Sequence, residues 1–247
     1  MATFVLVPGA WLGGWAWRTV TGGLRAAGHD VHPLTLTGVA DRSHLARPGV
    51  DLDTHAADIV GLVEAEELTD VFLVGHSHGG IAASAAADRI PDRLTRVVYV
   101  DSGPLPDGMA EIDLWPAEEQ ERVRATTGAD GRFAPRRWDP AADPHLLAGL
   151  DADALDALRR RATPHPAGSV TQPMARQDKP YGGPVTLVAC TIPLDQVLAM
   201  RAAGHPYFAL MPDADVVGLP TGHWPMFSEP AKLTEVLDGL TRPAAGA

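Results

Sequence analysis

The chain has 247 residues, 45% of them hydrophobic, which is enough to bury the core of one ordinary globular domain. Its net charge of −11 argues against a nucleic-acid-binding surface and against an anionic membrane as a partner. Cys190 is the single cysteine, so an intrachain disulfide is excluded and no oxidising compartment is implied.

The amino-terminal stretch is a strand and not a signal peptide. Phe4–Val7 is apolar and β-branched, no basic region precedes it, and Pro8-Gly9 ends it. No apolar run approaches the length of a membrane span, so we expect a cytoplasmic protein. The tail after Arg242 is expected to fray.

Strands and helices alternate along most of the chain. Such alternation predicts an α/β fold with a doubly wound, mostly parallel sheet of about six strands. The predicted strands are Phe4–Val7, His29–Leu36, Val71–Val74, Leu94–Val100, Pro184–Cys190 and Asp215–Leu219. The predicted helices include Trp17–Ala27, Leu52–Glu66 with Asp53 or Thr54 as its N-cap, Ile81–Asp88 and Glu229–Leu240.

The stretch from Val71 to Gly80 carries the main chemical signal. Gly75-His76-Ser77-His78-Gly79 follows a buried strand and precedes an Ala-rich helix. This is the context of the G-x-S-x-G nucleophile elbow, in which the serine occupies a strained turn at the carboxyl edge of the sheet. Ser77 is therefore the candidate nucleophile.

A Gly-rich loop follows the first strand, from Pro8 to Trp17. Glycines let backbone N–H groups approach a ligand closely, so the loop predicts that the N–H of Ala10 is one half of an oxyanion hole. The N–H of His78, directly after the nucleophile, would be the other half. A plain tight turn is the alternative explanation of the loop.

His76 and His78 could be taken for a metal-binding pair, because residues two apart on a strand share a face. A sharp elbow does not keep that relation, and no third ligand is near in sequence. We expect no metal and no cofactor.

The alternation stops between residues 105 and 181. Prolines, tryptophans and two helical stretches, Ala117–Ala125 and Ala152–Ala162, predict a small helical cap inserted into a single domain of residues 1–247. Six large apolar residues are candidates for a substrate pocket, although a core position explains each of them equally well. They are Trp11, Leu12, Trp115, Trp138, Trp224 and Met226.

The order of these parts resembles the α/β-hydrolase superfamily over essentially the whole length. More narrowly, the chain is similar to the short branch that holds plant methyl esterases, hydroxynitrile lyases and bacterial esterase-like proteins. Four stretches carry the similarity: Val7–Trp11, Leu36–Leu45, Gly75–Gly80 and Gly222-His223.

The resemblance implies that His223 is the general base for Ser77 and that a carboxylate orients its ring. Asp195 is the preferred carboxylate, although Ile192 and Pro193-Leu194 displace it from the usual register of this branch. Asp101 is the competitor, because some hydrolases of this fold carry their acid on the strand after the nucleophile; Asp101 could instead cap the turn into Gly103-Pro104.

The predicted function is cofactor-independent serine hydrolysis of a carboxylic ester or lactone of a small apolar or aromatic substrate. Two departures from the hydroxynitrile lyases disfavour cyanohydrin cleavage, since Gly9 and Trp224 stand where those enzymes have Thr and Lys. The alternatives are a lyase or cyclase that uses Ser77 and His223 as an acid/base pair, and a non-catalytic small-ligand binder. The expected partner is a small-molecule substrate, and the sequence leaves a homodimer open.

Overall fold

Six parallel strands form the central sheet of the computed structural model, which describes residues 1–242. Their spatial order is β2–β1–β3–β4–β7–β8, and two shorter strands, β5 and β6, pair antiparallel outside the sheet. The predicted α/β fold with a doubly wound parallel sheet is confirmed, and the tail predicted to fray lies outside the described residues. The strands are β1 Thr3–Val7, β2 Asp30–Pro33, β3 Val71–His76, β4 Leu94–Val100, β5 Arg132–Phe133, β6 His165–Pro166, β7 Val185–Ala189 and β8 Asp215–Gly218.

Helices cover both faces of the sheet. They are α1 Arg18–Ala26, α2 Leu52–Ala65, α3 His78–Ala87, α4 Ala117–Thr126, α5 Ala152–Arg161, α6 Gly168–Thr171, α7 Leu194–Ala202, α8 Pro225–Ser228 and α9 Pro230–Gly239. Alternate residues of β1 enter two separate cores, as the two-residue period of a strand requires. Phe4 and Leu6 pack with residues of α1 and α9, whereas Val5 packs with residues of α2 and α3.

Two predicted boundaries differ for local reasons. The N-cap of α2 is Asp51, two residues before Asp53 and three before Thr54, because its carboxylate accepts a 2.9 Å hydrogen bond from the Thr54 N–H. Helix α3 begins at His78, earlier than predicted. Gly79 and Gly80 have poor helix propensity, but both are buried in the first turn of this helix.

The sheet reverses its winding between β1 and β3. From β1 the chain adds β2 on one side and then β3 on the other. Ligands of doubly wound sheets bind beyond the carboxyl ends of the strands at such a reversal. The loop after β1 and the turn after β3 are therefore brought together at the expected ligand-binding edge.

Between β4 and β7 the chain forms α4, β5, α5, β6 and α6 rather than further strands of the sheet. Residues of this segment share one cavity with residues at the strand ends, including Glu111, Trp115 and Leu146. Within residues 1–242, none of the helices combines the length and the apolar character that a membrane crossing requires.

Candidate active site

Ser77 lies between β3 and α3 with φ 52° and ψ −127°, a backbone conformation that non-glycine residues rarely adopt. Three hydrogen bonds hold the turn. The Ser77 N–H donates to the carbonyl of Val100 at 3.2 Å, and the Ser77 carbonyl accepts from Gly80 N–H at 2.8 Å and from the Ser102 hydroxyl at 2.6 Å. The surroundings thus fix a strained turn that presents the serine side chain to the cavity.

The glycines of the motif are required by close packing. A Cβ at Gly75 would lie 2.5 Å from backbone atoms of Gly79 and Gly80. A Cβ at Gly79 would lie 2.5 Å from the carbonyl oxygens of Val7 and Pro8. Strand β3, helix α3 and the end of β1 therefore meet at backbone contact distance, which no other residue type allows.

Two backbone N–H groups beside Ser77 are free to bind an anion. The N–H groups of Ala10 and His78 donate to no group within residues 1–242. Ala10 lines the same cavity as Ser77, and a Cβ at the neighbouring Gly9 would lie 3.0 Å from the Ser77 Cβ. These are the two donors predicted for an oxyanion hole, and both lie beside Ser77, the candidate nucleophile.

The imidazole of His223 is paired with Asp101. Nδ1 of His223 lies 2.6 Å from Oδ2 of Asp101, at the carboxyl end of β4. The other carboxylate oxygen accepts from the N–H groups of Cys190 and Thr191, at 3.2 Å and 3.0 Å, just beyond β7. The preference for Asp195 is therefore corrected: Asp195 is exposed in the first turn of α7, whereas the carboxylate that orients His223 is Asp101.

The protonation states follow from these contacts. Burial by itself would raise the pKa of Asp101, but the hydrogen bond and charge of His223 and the hydrogen bonds of Thr191 outweigh it and hold the pKa below its usual value. Asp101 is thus a carboxylate that accepts from Nδ1 of His223. With Nδ1 paired to Asp101, Nε2 is the ring nitrogen of His223 that has no hydrogen-bond partner within residues 1–242.

Three contacts hold the loop that carries His223. Burial, with the neighbouring His223 ring, lowers the pKa of His76 to about 3, so His76 is neutral and its Nε2 donates to the His223 carbonyl at 2.6 Å. The N–H of His223 donates to the Leu146 carbonyl at 2.7 Å, and that of Gly222 donates to the Ala148 carbonyl at 3.1 Å. His76 therefore supports the position of His223 through the backbone carbonyl of that residue.

Ser77 and His223 face one cavity of about 630 Å³. Within residues 1–242 they form no direct hydrogen bond, and such bonds are often loose until substrate is bound.

Of the six predicted pocket residues, Trp11, Trp115 and Trp224 line this cavity. The prediction is wrong for Leu12, Trp138 and Met226, which are buried in the core. Trp138 supports the wall indirectly, since its ring packs 4.9 Å from that of Trp224.

Four buried side chains near the loop after β1 are in contact with one another, an arrangement that no sequence pattern predicted; we call them the histidine cluster: His55, His78, His165 and Glu111. His78 Nδ1 lies 2.6 Å from Glu111 Oε2, and His78 Nε2 lies 2.9 Å from His55 Nδ1. A signal existed for His55, because it falls on the buried face of α2 together with Ile59. His165 and Glu111 lie in the irregular segment, where no periodic pattern marks buried positions.

Three ring nitrogens of this cluster lie within 4.8 Å of one another, a spacing that could suit a metal ion. Each ring nitrogen of the three histidines already has a hydrogen-bond partner in the chain. The donor set therefore favours a hydrogen-bonded network over a metal centre.

Comparison with known proteins agrees with this geometry. The family model described as the alpha/beta hydrolase family matches residues 4–236. The chain belongs to the alpha/beta hydrolase family. A carbendazim hydrolyzing esterase from Nocardioides sp. (strain SG-4G) is 35% identical over 97% of this chain and 100% of its own length. A methyl jasmonate esterase from Vitis vinifera is 37% identical over 40% of this chain and 38% of its own length. These matches confirm the predicted family, its esterase branch and the prediction that the protein is a hydrolase.

Solved structures repeat the fold of this alpha/beta hydrolase at low sequence identity. An extracellular alpha/beta-hydrolase from a Paenibacillus species superposes with a TM-score of 0.79 at 20% identity, covering 98% of this chain and 100% of the other. A methylesterase from Arabidopsis superposes with a TM-score of 0.72 at 19% identity, covering 96% and 97%.

Proposed function

We propose that this hydrolase is a serine esterase that cleaves a carboxylic ester or lactone of a small apolar or aromatic substrate through an acyl-enzyme on Ser77. The observation that carries the proposal is the convergence on one cavity of the strained Ser77 and of His223, whose ring is paired with Asp101. The free N–H groups of Ala10 and His78 add the donors that ester cleavage needs.

Nε2 of His223 takes the proton from the Ser77 hydroxyl as its oxygen attacks the ester carbonyl. The carbonyl oxygen becomes an anion and accepts from the two N–H groups, each of which contributes about 3 kcal/mol. The imidazolium, stabilised by Asp101, then gives its proton to the departing alcohol. Water then attacks the carbonyl of the acyl-enzyme while Nε2 of His223 takes its proton. That proton passes to the Ser77 oxygen as the acid leaves, so Ser77 and His223 are both regenerated.

The cavity supports the expected substrate class. Most of its lining is apolar, and its rim includes three exposed large apolar side chains, Leu114, Ile192 and Leu210. Exposed apolar residues gathered around one opening favour an apolar ligand. The carbendazim hydrolyzing esterase is similar over its whole length, so carbendazim belongs in the first substrate panel beside simple aryl and methyl esters.

We further propose that residues 105–181 act as a cap of a single domain. Glu111, Trp115, Glu119, Arg136 and Leu146 belong to this segment and line the cavity together with the strand-end residues. A cap of this kind excludes bulk water from the oxyanion and limits the size of the substrate.

A lyase or cyclase that uses only Ser77 and His223 would be favoured if the acid were displaced from the histidine, as the register of Asp195 suggests. The pairing of Asp101 with His223 removes that argument, since the acid holds the ring from a neighbouring strand. A non-catalytic binder would have no need for a strained serine beside two free N–H donors. Neither alternative is favoured by an observation of its own.

The test is covalent labelling with a fluorophosphonate, followed by turnover of a panel of p-nitrophenyl esters, methyl esters and carbendazim. The wild type should label with one equivalent at Ser77 and turn over at least one apolar ester, and Ser77→Ala should do neither. A wild type that labels but hydrolyses no ester would refute the esterase proposal in favour of a lyase. A wild type that neither labels nor turns over would point to a binder.

A further inference from the structure

The side chains of the histidine cluster take no part in the proposed reaction, yet they contact both segments that supply oxyanion donors. His78 follows the nucleophile, and the ring of His165 packs 4.7 Å from the ring of His78. Nδ1 of His165 also lies 3.2 Å from the N–H of Trp11, the residue after Ala10. All three histidines are fully buried.

The hydrogen-bond directions on the His78 side are set by the Thr37 carbonyl. Burial, together with the neighbouring His78, lowers the pKa of His55 to about 3, so His55 is neutral. Its Nε2 donates to the Thr37 carbonyl at 2.9 Å, which leaves Nδ1 to accept from Nε2 of His78. One proton then lies between Nδ1 of His78 and the Glu111 carboxyl group.

The directions around His165 are set by a backbone donor. The Trp11 N–H can only donate, so Nδ1 of His165 carries a lone pair. Burial and the neighbouring histidines hold the pKa of His165 well below its usual value, so the ring is neutral and its proton is on Nε2. That Nε2–H donates to the Ser169 hydroxyl at 3.0 Å, which donates to the Pro166 carbonyl at 2.8 Å. Ser169 therefore holds His165 in the tautomer that accepts from Trp11.

The backbone at Trp11 needs such support. Its φ is +67°, a strained backbone conformation that is uncommon for a large side chain. The same cap segment holds both polar groups of Trp11, since the Thr163 N–H donates to the Trp11 carbonyl at 3.0 Å. Loss of the His165 contact would leave a buried N–H unpaired at this strained residue.

We infer that His165 is a positioning residue of the oxyanion hole: by accepting from the Trp11 N–H and packing against His78, it fixes the Ala10 donor relative to the nucleophile elbow. The inference rests on the proposed esterase function. His165 does not line the cavity, so it acts on the reaction only through the loop.

Two substitutions at His165 separate positioning from packing. In His165→Asn the amide oxygen can occupy the place of Nδ1 and accept from the Trp11 N–H. His165→Leu fills the site without an acceptor. His145→Leu, at an exposed histidine of the same segment, is the matched control.

The readout is kcat on a p-nitrophenyl ester per active site titrated with fluorophosphonate, so that misfolded protein does not count. His165→Leu should lower kcat about 10- to 100-fold with little change in KM, because a shift of the donors weakens transition-state binding. His165→Asn should recover most of that loss, and His145→Leu should match the wild type. A His165→Leu enzyme within threefold of the wild type, or a His165→Asn enzyme as slow as His165→Leu, overturns the inference. If His165→Leu does not fold, Ser169→Ala replaces it, with the same expected direction through loss of the tautomer.

A second measurement does not depend on activity. In amide hydrogen exchange followed by nuclear magnetic resonance, the Trp11 N–H should be protected in the wild type and in His165→Asn and should exchange faster in His165→Leu. Equal exchange in all three proteins overturns the inference, even if the esterase proposal holds. An enzyme that hydrolyses no ester yet shows the exchange pattern refutes the proposed function and keeps the structural role of His165. Stoichiometric zinc in the purified protein, with loss of activity on its removal, would replace the hydrogen-bonded network by a metal site.

Discussion

Asp101 and His223 are separated by 122 residues, yet Nδ1 of His223 lies 2.6 Å from the Asp101 carboxylate. The other oxygen of that carboxylate is held by backbone N–H groups just beyond β7, so the acid reaches the histidine from β4 with its orientation fixed by the adjacent strand. The proton on Nδ1 and the free Nε2 of His223 both depend on this contact.

Asp101→Asn should lower kcat on p-nitrophenyl esters by about 10² to 10⁴, because an amide can donate to Nδ1 and favour the wrong tautomer. Asp195→Asn should stay within twofold of the wild type, since this carboxylate is exposed on α7. Steady-state kinetics on both variants would decide between the two acids, and a severe loss in Asp195→Asn would contradict the assignment.

Ser77→Gly should be more stable than Ser77→Ala by about 1 kcal/mol in the free energy of unfolding. Glycine adopts the φ of 52° at this turn without strain, whereas alanine keeps the Cβ that makes it costly. Urea unfolding of both inactive variants provides the measurement. Ala125→Gly in helix α4 is the control, because glycine is a poorer helix former than alanine. It should lower the free energy of unfolding by about 1 kcal/mol relative to the wild type. If Ser77→Gly is the less stable of the two Ser77 variants, the elbow stores no strain.

Gly79→Ala should prevent the elbow from forming, because the new methyl group would lie 2.5 Å from two backbone oxygens that cannot move independently. We expect loss of fluorophosphonate labelling and a lower melting temperature. Gly61→Ala is the control within helix α2, since its Cβ would meet nothing within 4 Å. That substitution should raise the free energy of unfolding by about 1 kcal/mol. A fully active Gly79→Ala protein would show that the close approach of β1 and α3 is not required.

The buried histidines predict loss of stability in mild acid. His55 and His76 have pKa values of about 3 in the folded protein, against 6.5 for a free histidine, so the unfolded chain binds more protons between these values. Their contribution is complete above pH 6.5 and is lost as the pH falls through this window, by about 2 kcal/mol per group at pH 5. Urea unfolding at pH 7.5 and pH 5.0 measures it. His145→Asn, at an exposed site, should keep the full pH dependence. A free energy of unfolding that is equal at both pH values would contradict the conclusion that His55 and His76 are buried in their neutral form.

The rim of the cavity should set the preference for apolar substrates. Leu114→Asn should raise KM for long-chain or aromatic esters severalfold and leave kcat on p-nitrophenyl acetate unchanged. Leu114 is an exposed apolar side chain that lines the cavity, and it takes no part in the proposed proton transfers. Leu198→Asn is the control, since Leu198 is also an exposed leucine but lies outside the cavity lining. An equal KM effect in both variants would mean that the rim makes no substrate contact.

The sheet could be predicted because its strands β1, β3 and β7 are almost entirely buried and therefore appear as short apolar runs between helices. The elbow and the loop after β1 could be predicted because their chemistry lies in contiguous residues with demanding spacing, as in Gly75, Ser77 and Gly79. The role of His223 was implied by the resemblance to the superfamily and not by its local sequence alone.

The partner of His223 could not be chosen from the sequence, because the choice depends on which strand end faces the imidazole. Asp101 and Asp195 both come after strands of the sheet, so the sequence allows either. The choice follows only from the pairing of β4 with β7, which brings the Thr191 N–H to the Asp101 carboxylate. The histidine cluster was hidden for a similar reason. His55, His78 and His165 come from three distant segments, and no local spacing marks their contact.

Trp11, Ser77 and Asp101 all have a positive φ. They follow the carboxyl ends of β1, β3 and β4, which are adjacent strands of the sheet. Laboratory evolution for heat tolerance alone would be expected to accept glycine at Ser77, and that gain in robustness would remove the proposed nucleophile. Any such programme on this enzyme would have to select for turnover in every round, since its most thermostable descendants would otherwise be inert.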